Sequence, residues 1–272
     1  MIYFSQAQMT TRALGIGAQP GVIEFNHRQG GCVSGTAVAR QMLTSLGLTV
    51  TDILSDGERA NAGQRLIRAH GPAAALHQGW KAVQNVLEWS CGVSGYLVEM
   101  LSMLHQRYPD GQIACTRKAI PGTRLLATQA ILAAGGIIHR GGCAETVLLF
   151  ANHRRFLTNP NDWTGAIARL RSHAPEKKIV VEADTPDEAL TALRAAPDVL
   201  QLDKFTPEQA AEIARQAPAL APHCTLALTG GITLASLAGY LDCGIRLFIT
   251  SAPYYAPPAD IKVSLSPDAR GL

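Results

Sequence analysis

Apolar residues fall into two rhythms along this chain, and the change comes near Gly111. Before it, Val22-Ile23-Glu24-Phe25-Asn26 reads as a strand, Gly30–Gly35 as a turn with a second short strand, and Thr36–Leu46 as a helix. Val50–Leu54 and Gln64–Arg68 supply further strands of a small sheet. Pro72 then opens a helix in which Ala75, Leu76, Val83, Val86 and Leu87 recur at helical spacing. A second helical segment runs from Val93 to Arg107 and stops before Tyr108-Pro109-Asp110-Gly111.

After Gly111, short β-branched runs alternate with helical runs. The predicted helices are Thr123–Ala134, Asn161–His173, Pro186–Ala196, Pro207–Gln216 and Leu234–Cys243, with Thr185 and Thr206 as caps ahead of prolines. The tail alternates over Ile261–Leu265 and is predicted to return to the N-terminal sheet. The fold class expected is α/β. Residues 111–253 are expected to form an incomplete barrel of about seven strands, and residues 1–110 with the tail 254–272 a smaller α/β sandwich domain.

Chemistry collects where those strands end. Ile113-Ala114-Cys115 runs into Thr116-Arg117-Lys118, and Gly136-Ile137-Ile138 into His139-Arg140. Ile179-Val180-Val181 reaches Glu182, Val199–Leu202 reaches Asp203, and Leu226-Ala227-Leu228 reaches Thr229-Gly230-Gly231. Polar residues at the ends of successive apolar strands are the layout of a barrel active site. Cations come first, then carboxylates, then a glycine pair. That order points to an anionic substrate, a metal-bound phosphate and a backbone phosphate cradle.

Composition excludes some classes. The chain has 272 residues, 47% hydrophobic and 17% charged, which argues against disorder. A net charge of +3 is too small to suggest nucleic-acid binding, yet Ile113–Pro160 holds six Lys/Arg against one acid, Glu145. Glu145 is expected to be a local counter-ion, His153-Arg154-Arg155 a solvated loop, and Trp80 and Trp89 packing residues. The six cysteines form no C-x-x-C pair and are expected to be buried thiols in a reducing cytoplasm. Met1–Gln6 has no basic region leading into an apolar core, so no signal peptide is expected, and no apolar run reaches membrane-spanning length.

Thr116–Gly122, Gly135–Arg140, Val181–Asp184, Leu202-Asp203 and Thr229–Ile232 together resemble the ordered motif string of the quinolinate phosphoribosyltransferases (nicotinate-nucleotide pyrophosphorylases). Glu145–Ala151, Leu202–Phe205 and Thr250–Tyr255 resemble a side branch, the ModD-type pyrophosphorylases associated with molybdenum transport. The resemblance implies a cytoplasmic, homodimeric phosphoribosyltransferase with phosphoribosyl pyrophosphate and a small acceptor as substrates and magnesium as cofactor. It implies that Arg117, His139 and Arg140 hold an acidic acceptor and that Lys118 faces the pyrophosphate. Glu182 and Asp203 would act around ribose and Mg²⁺. Thr229, Gly230, Gly231, Thr250 and Ser251 would bind the 5′-phosphate. Lys81 would take the place of an arginine that the dimer partner inserts.

This sequence departs from the family pattern at three places. Phe150, before Ala151-Asn152-His153, stands where the family has a lysine. Lys81 lacks the guanidinium fork. Met1–Gln8 runs almost directly into Met9-Thr10-Thr11, a short lead-in to the small domain. The first two changes remove charge from the acceptor pocket, so a neutral or monoanionic aromatic acceptor is expected in place of quinolinate. Two other readings remain: a carboxylating nicotinate-nucleotide pyrophosphorylase with a variant pocket, and a non-enzymatic oxyanion- or nucleotide-binding protein. Lys118, Glu182 and Asp203 favour an enzyme, because an oxyanion binder has no use for them.

Overall fold

The structure is a computed structural model and describes residues 8–268; the short lead-in Met1–Ala7 lies outside the described residues. Among the described residues there are thirteen strands. β1 (Pro20–His27), β2 (Gly31–Cys32), β3 (Thr49–Ile53), β4 (Arg59–Ala60) and β5 (Arg65–Pro72) precede the long helix. β6 (Gln112–Cys115), β7 (Ile137–Ile138), β8 (Val147–Leu149), β9 (Ile179–Ala183), β10 (Val199–Asp203), β11 (Thr225–Thr229) and β12 (Leu247–Thr250) follow it. β13 (Ile261–Pro267) closes the chain.

The chain divides into two compact units. One comprises residues up to Val98, Ala119–Gly135 and the tail from Pro253; the other comprises Glu99–Lys118 and Gly136–Ala252. The division falls inside the long helix and not at residue 110. It also moves the helix Arg124–Ala133 from the barrel, where the strand–helix rhythm put it, into the first unit. There the Cys32 thiol lies 3.6 Å from the Ala133 carbonyl.

The first unit is built on an antiparallel sheet in the order β13-β1-β5-β3. The tail does return: Ile261 to Pro267 pair antiparallel with His27 to Gly21. Ile23, Phe25, Leu43, Leu66, Ile67, Leu76, Val83 and Leu87 form its core with Ile261. The two expected helical segments are one helix, Ala73–Arg107. Gly92 does not break it, because the buried stripe continues through Cys91, Val93, Leu97, Met100 and Leu104. A Cβ at Gly92 would lie 2.4 Å from the Pro257 carbonyl oxygen, so glycine lets the tail run close to the helix.

The second unit is a parallel sheet in the order β7-β6-β12-β11-β10-β9-β8. β12 pairs with β6, returning the sheet to its first strand; β7 and β8 form the two edges. This is singly wound barrel topology with one open seam, as expected, and not a doubly wound sheet with a strand-order reversal. Ala114, Ala227 and Ile249 pack together with Val199 and Leu247 from four different strands. By the two-residue alternation of strands, Thr116, Gln201, Thr229 and Ser251 share the side of the sheet those residues occupy.

Helix starts follow the sequence. Thr185 accepts a hydrogen bond from the Glu188 amide and Thr206 one from the Gln209 amide, each followed by proline at the first turn. The predicted helix Leu234–Cys243 is only one α-turn, Leu234–Leu237, followed by a 3₁₀ turn over Ala238–Tyr240. Among the described residues, no helix is long and apolar enough to cross a membrane.

Candidate active site

Every strand of the second unit delivers a polar or aromatic side chain at its C-terminal end. Thr116, Arg117 and Lys118 follow β6, His139 and Arg140 follow β7, and Phe150 follows β8. Glu182 is the penultimate residue of β9, and Asp203, Thr229 and Thr250 end β10, β11 and β12. Asp203 is level with Thr229 across β10 and β11. Thr250 is level with Cys115 across β12 and β6.

A cleft of about 600 Å³ is lined by Arg117, Arg140, Cys143, Phe150, His153 and Lys177 among others. Its lining residues come from β8, one edge of the open seam, and its flanks, from the loops after β6 and β7, and from the segment ahead of β9. Arg140 is only 9% exposed, and its Nε is buried without a hydrogen-bond partner among the described residues. Its guanidinium carbon is 5.9 Å from the Phe150 ring centroid. The Phe150 ring in turn stacks on His153 at 5.7 Å. An aromatic face beside a guanidinium with an unused donor suits a flat anionic ring. Another cleft, of about 370 Å³, lies at the N-terminal ends of β6, β11 and β12, away from these residues.

Electrostatics divide the site. Burial first, then the charges of Arg140 and Arg117, push the His139 imidazole down to about 4, so it is neutral at pH 7. His139 therefore offers a hydrogen-bonding ring and not a third cation. On the carboxylate side, burial and then Asp203 and Asp184 raise the Glu182 carboxyl to about 7, against the pull of Lys118 and Lys204. Asp203 reaches Lys204 at 3.6 Å.

The glycine pair has a geometric reason. Gly230 and Gly231 sit at φ +81° and +82°. A Cβ at Gly230 would approach Asp203 Oδ1 to 2.4 Å, whereas one at Gly231 would meet open space. Left-handed consecutive backbone aims amides outward as a phosphate-binding concavity does. Because the helix beyond is a single turn, the cradle owes its character to these glycines and not to a helix dipole. Thr250 is buried; its hydroxyl donates to the Ile232 carbonyl at 2.6 Å and accepts from the Ala252 amide at 2.9 Å. Its proton thus holds the loop after the glycines. Ser251 Oγ bonds Thr116 Oγ1, which also accepts from the Lys118 amide at 3.1 Å.

Several sequence expectations change here. Arg154 is not in a solvated loop: it is 5% exposed, pairs with Glu188 at 2.9 Å and lies 4.0 Å over the Trp163 ring. The apolar Trp163 face and the Glu188 carboxylate compensate its burial. Glu145 accepts from the Gly141 amide at 2.5 Å, fixing the loop after β7. Cys143 is exposed, and Arg117 Nη1 lies 3.0 Å from its sulfur. Lys81 belongs to the other unit, where its ammonium lies over Trp80 at 4.6 Å and bonds Gln84 at 3.0 Å. Sequence reasoning missed Lys177 and Gln201. The signal for Gln201 was present, as an amide inside the apolar run Val199–Leu202.

Two family profiles cover this chain. One, described as quinolinate phosphoribosyl transferase, N-terminal domain, matches residues 8–91; the corresponding C-terminal domain matches residues 95–264. The chain belongs to the quinolinate phosphoribosyltransferase family. It is an enzyme of the phosphoribosyltransferase type. Within the family it is 74% identical to a protein of Escherichia coli O6:H1 named "Putative pyrophosphorylase ModD", over 99% of each chain. A protein of the same name from Pasteurella multocida is 47% identical over 95% of this chain and 92% of that one. A carboxylating nicotinate-nucleotide pyrophosphorylase of Dictyostelium discoideum is 31% identical over 83% and 79%. The crystal structure of NadC from Streptococcus pyogenes superposes with a TM-score of 0.84 at 20% identity, over 98% and 93% of the two chains, and shares the fold.

Family membership sharpens the geometry. The strand ends picked out in the sequence all lie within the matched C-terminal domain and follow successive strands of this half-barrel at its C-terminal face. Phe150 lies in the cleft wall against Arg140.

Proposed function

We propose that this enzyme transfers the phosphoribosyl group of phosphoribosyl pyrophosphate to an aromatic acceptor carrying at most one negative charge. The observation that carries the reading is that Phe150 packs beside the buried Arg140 just past the ends of β8 and β7, strand ends of the same sheet whose other C-terminal ends bear Glu182, Asp203 and Gly230-Gly231.

The 5′-phosphate would lie on the Gly230 and Gly231 amides near Thr229 and Ser251, with Thr250 holding the loop. Lys118 would meet the pyrophosphate and stabilise it as it leaves. Arg117 and Arg140 would orient the acceptor, with Phe150 stacking on its face. Glu182 and Asp203 would stabilise the positive charge that develops at the ribose C1.

Magnesium fits the same two carboxylates. Asp203 charges against Glu182, a repulsion that a divalent cation relieves, and Mg²⁺ favours one or two carboxylates plus substrate phosphates. When bound, the ion would neutralise the pyrophosphate. A homodimer in which the partner contributes Lys81 would add a cation to the acceptor pocket. The free cysteines suit a reducing cytoplasm. The ModD resemblance supports a link to molybdenum uptake or metabolism, and no residue of the cleft is assigned to molybdate.

The direct test is thermal denaturation with phosphoribosyl pyrophosphate and Mg²⁺, then with added pyridine monocarboxylates and neutral aromatic bases. A rise in Tm with phosphoribosyl pyrophosphate that requires Mg²⁺, followed by pyrophosphate release with an acceptor, supports the reading. No response to phosphoribosyl pyrophosphate would overturn it.

A further inference from the structure

We propose that Gln201 is a positioning residue that holds His139 as a neutral imidazole with its proton on Nδ1, so that the acceptor pocket presents two guanidinium groups and one uncharged ring. The proposal rests on the reading of His139 as an acceptor-pocket residue, but its test does not require the acceptor.

The geometry is direct. Gln201 Nε2 lies 2.6 Å from His139 Nε2. An amide nitrogen carries protons and no lone pair for hydrogen bonding. In this arrangement it donates, and Nε2 of His139 must be the lone-pair nitrogen. β10 and β7 are four places apart in the sheet order, so the contact is not one between neighbouring strands. Gln201 is also in register with Glu182 on the adjoining strand.

Gln201 is costly to keep. It is 2% exposed, between Leu200 and Leu202 at 0%. Burying an amide without a partner is unfavourable, and leucine or methionine would fill a similar volume in an apolar strand. A polar residue at this depth that spends its amide on a site histidine points to that histidine as its purpose. The environment acts in the same sense: burial, Arg140 and Arg117 all disfavour the imidazolium. The consequence is selectivity. A pocket with a neutral ring carries one positive charge fewer, which favours a monoanionic acceptor over a dianion.

The experiment is ¹⁵N NMR of the full-length protein labelled at histidine, with His139→Gln to assign the resonances. The wild type is expected to show Nε2 of His139 unprotonated and Nδ1 protonated at pH 7. Gln201→Leu and Gln201→Met are expected to average the two nitrogens toward a mixture of tautomers, with the other histidine resonances unchanged. A protonated Nε2 in the wild type would overturn the assignment, because the side-chain carbonyl would then face the ring. So would retention of the wild-type pattern in either variant. If both variants unfold, the wild-type spectrum decides alone. Failure to bind phosphoribosyl pyrophosphate would sink the proposed function and leave this result intact.

Discussion

Arg154 is locked against Glu188 at 2.9 Å, with its guanidinium 4.0 Å over Trp163. That pairing occupies Arg154, an arginine four residues along the chain that could otherwise have supplied charge near Phe150. The wild type is therefore expected to turn over quinolinate poorly. Phe150→Lys is expected to improve quinolinate binding by about 1.5–3 kcal/mol, the value of a charge-assisted hydrogen bond. Assaying nicotinate mononucleotide formation by both proteins checks this. Efficient turnover by the wild type would restore the carboxylating reading.

Glu182→Gln should stabilise the protein in a pH-dependent way. The folded-state carboxyl titrates near 7, against an ordinary value of 4.5. Between those values the folded state holds the proton and the unfolded state has lost it, so stability falls as pH rises through the window. The glutamine variant escapes that loss. Its advantage should grow from pH 4.5 to 7 and then level off at about 1 kcal/mol, reduced from the full linkage value because the carboxyl is part-exposed. Urea denaturation at pH 4.5 and 8 measures it; an equal difference at both values would rule the idea out. The same variant should lose pyrophosphate release.

Gly230→Ala and Gly231→Ala separate strain from collision. Both residues have positive φ, but only at Gly230 does an added Cβ collide with Asp203. Gly231→Ala should cost about 1 kcal/mol of stability, and Gly230→Ala clearly more. Binding of phosphoribosyl pyrophosphate should weaken most in Gly230→Ala, where the Asp203 carboxylate must shift. Calorimetric Tm and titration of phosphoribosyl pyrophosphate with Mg²⁺ test both, and identical losses would refute the distinction.

Subunit complementation tests the shared site. Lys81→Ala and Glu182→Gln should each release little pyrophosphate alone. After the two are mixed and their subunits exchanged, a mixed dimer would hold one site with both residues intact. Restored release is expected, up to about a quarter of wild type if one dimer in two is mixed and one of its two sites works. A monomer by sedimentation, or no restoration after proven exchange, counts against Lys81 acting in trans.

The rhythm of the chain determined much of this protein. Short strands such as Ile179–Ala183 and Val199–Asp203 are buried on both faces, by helices outside and by one another's side chains inside, and their alternation with helical runs marks an α/β fold with a parallel sheet. Alternation over Ile261–Leu265 likewise foretold a strand returning to the N-terminal sheet, because one face had to be buried. The polar residues after successive strands marked the ends that form the candidate site. Tertiary structure decided what local pattern cannot encode. Two helical segments fused because Gly92 is tolerated where the buried stripe continues, and the helix Arg124–Ala133 left the barrel rhythm for the other unit. Arg154 and Gln201 received their roles from partners 34 and 62 residues away, Glu188 and His139. The charge states of His139 and Glu182 were set in the same way. Burial comes first in both, and Arg117 beside His139 and Asp203 beside Glu182 add to it; burial and these two neighbours exist only once the sheet has formed, whereas Arg140 and Asp184 are already near in the sequence.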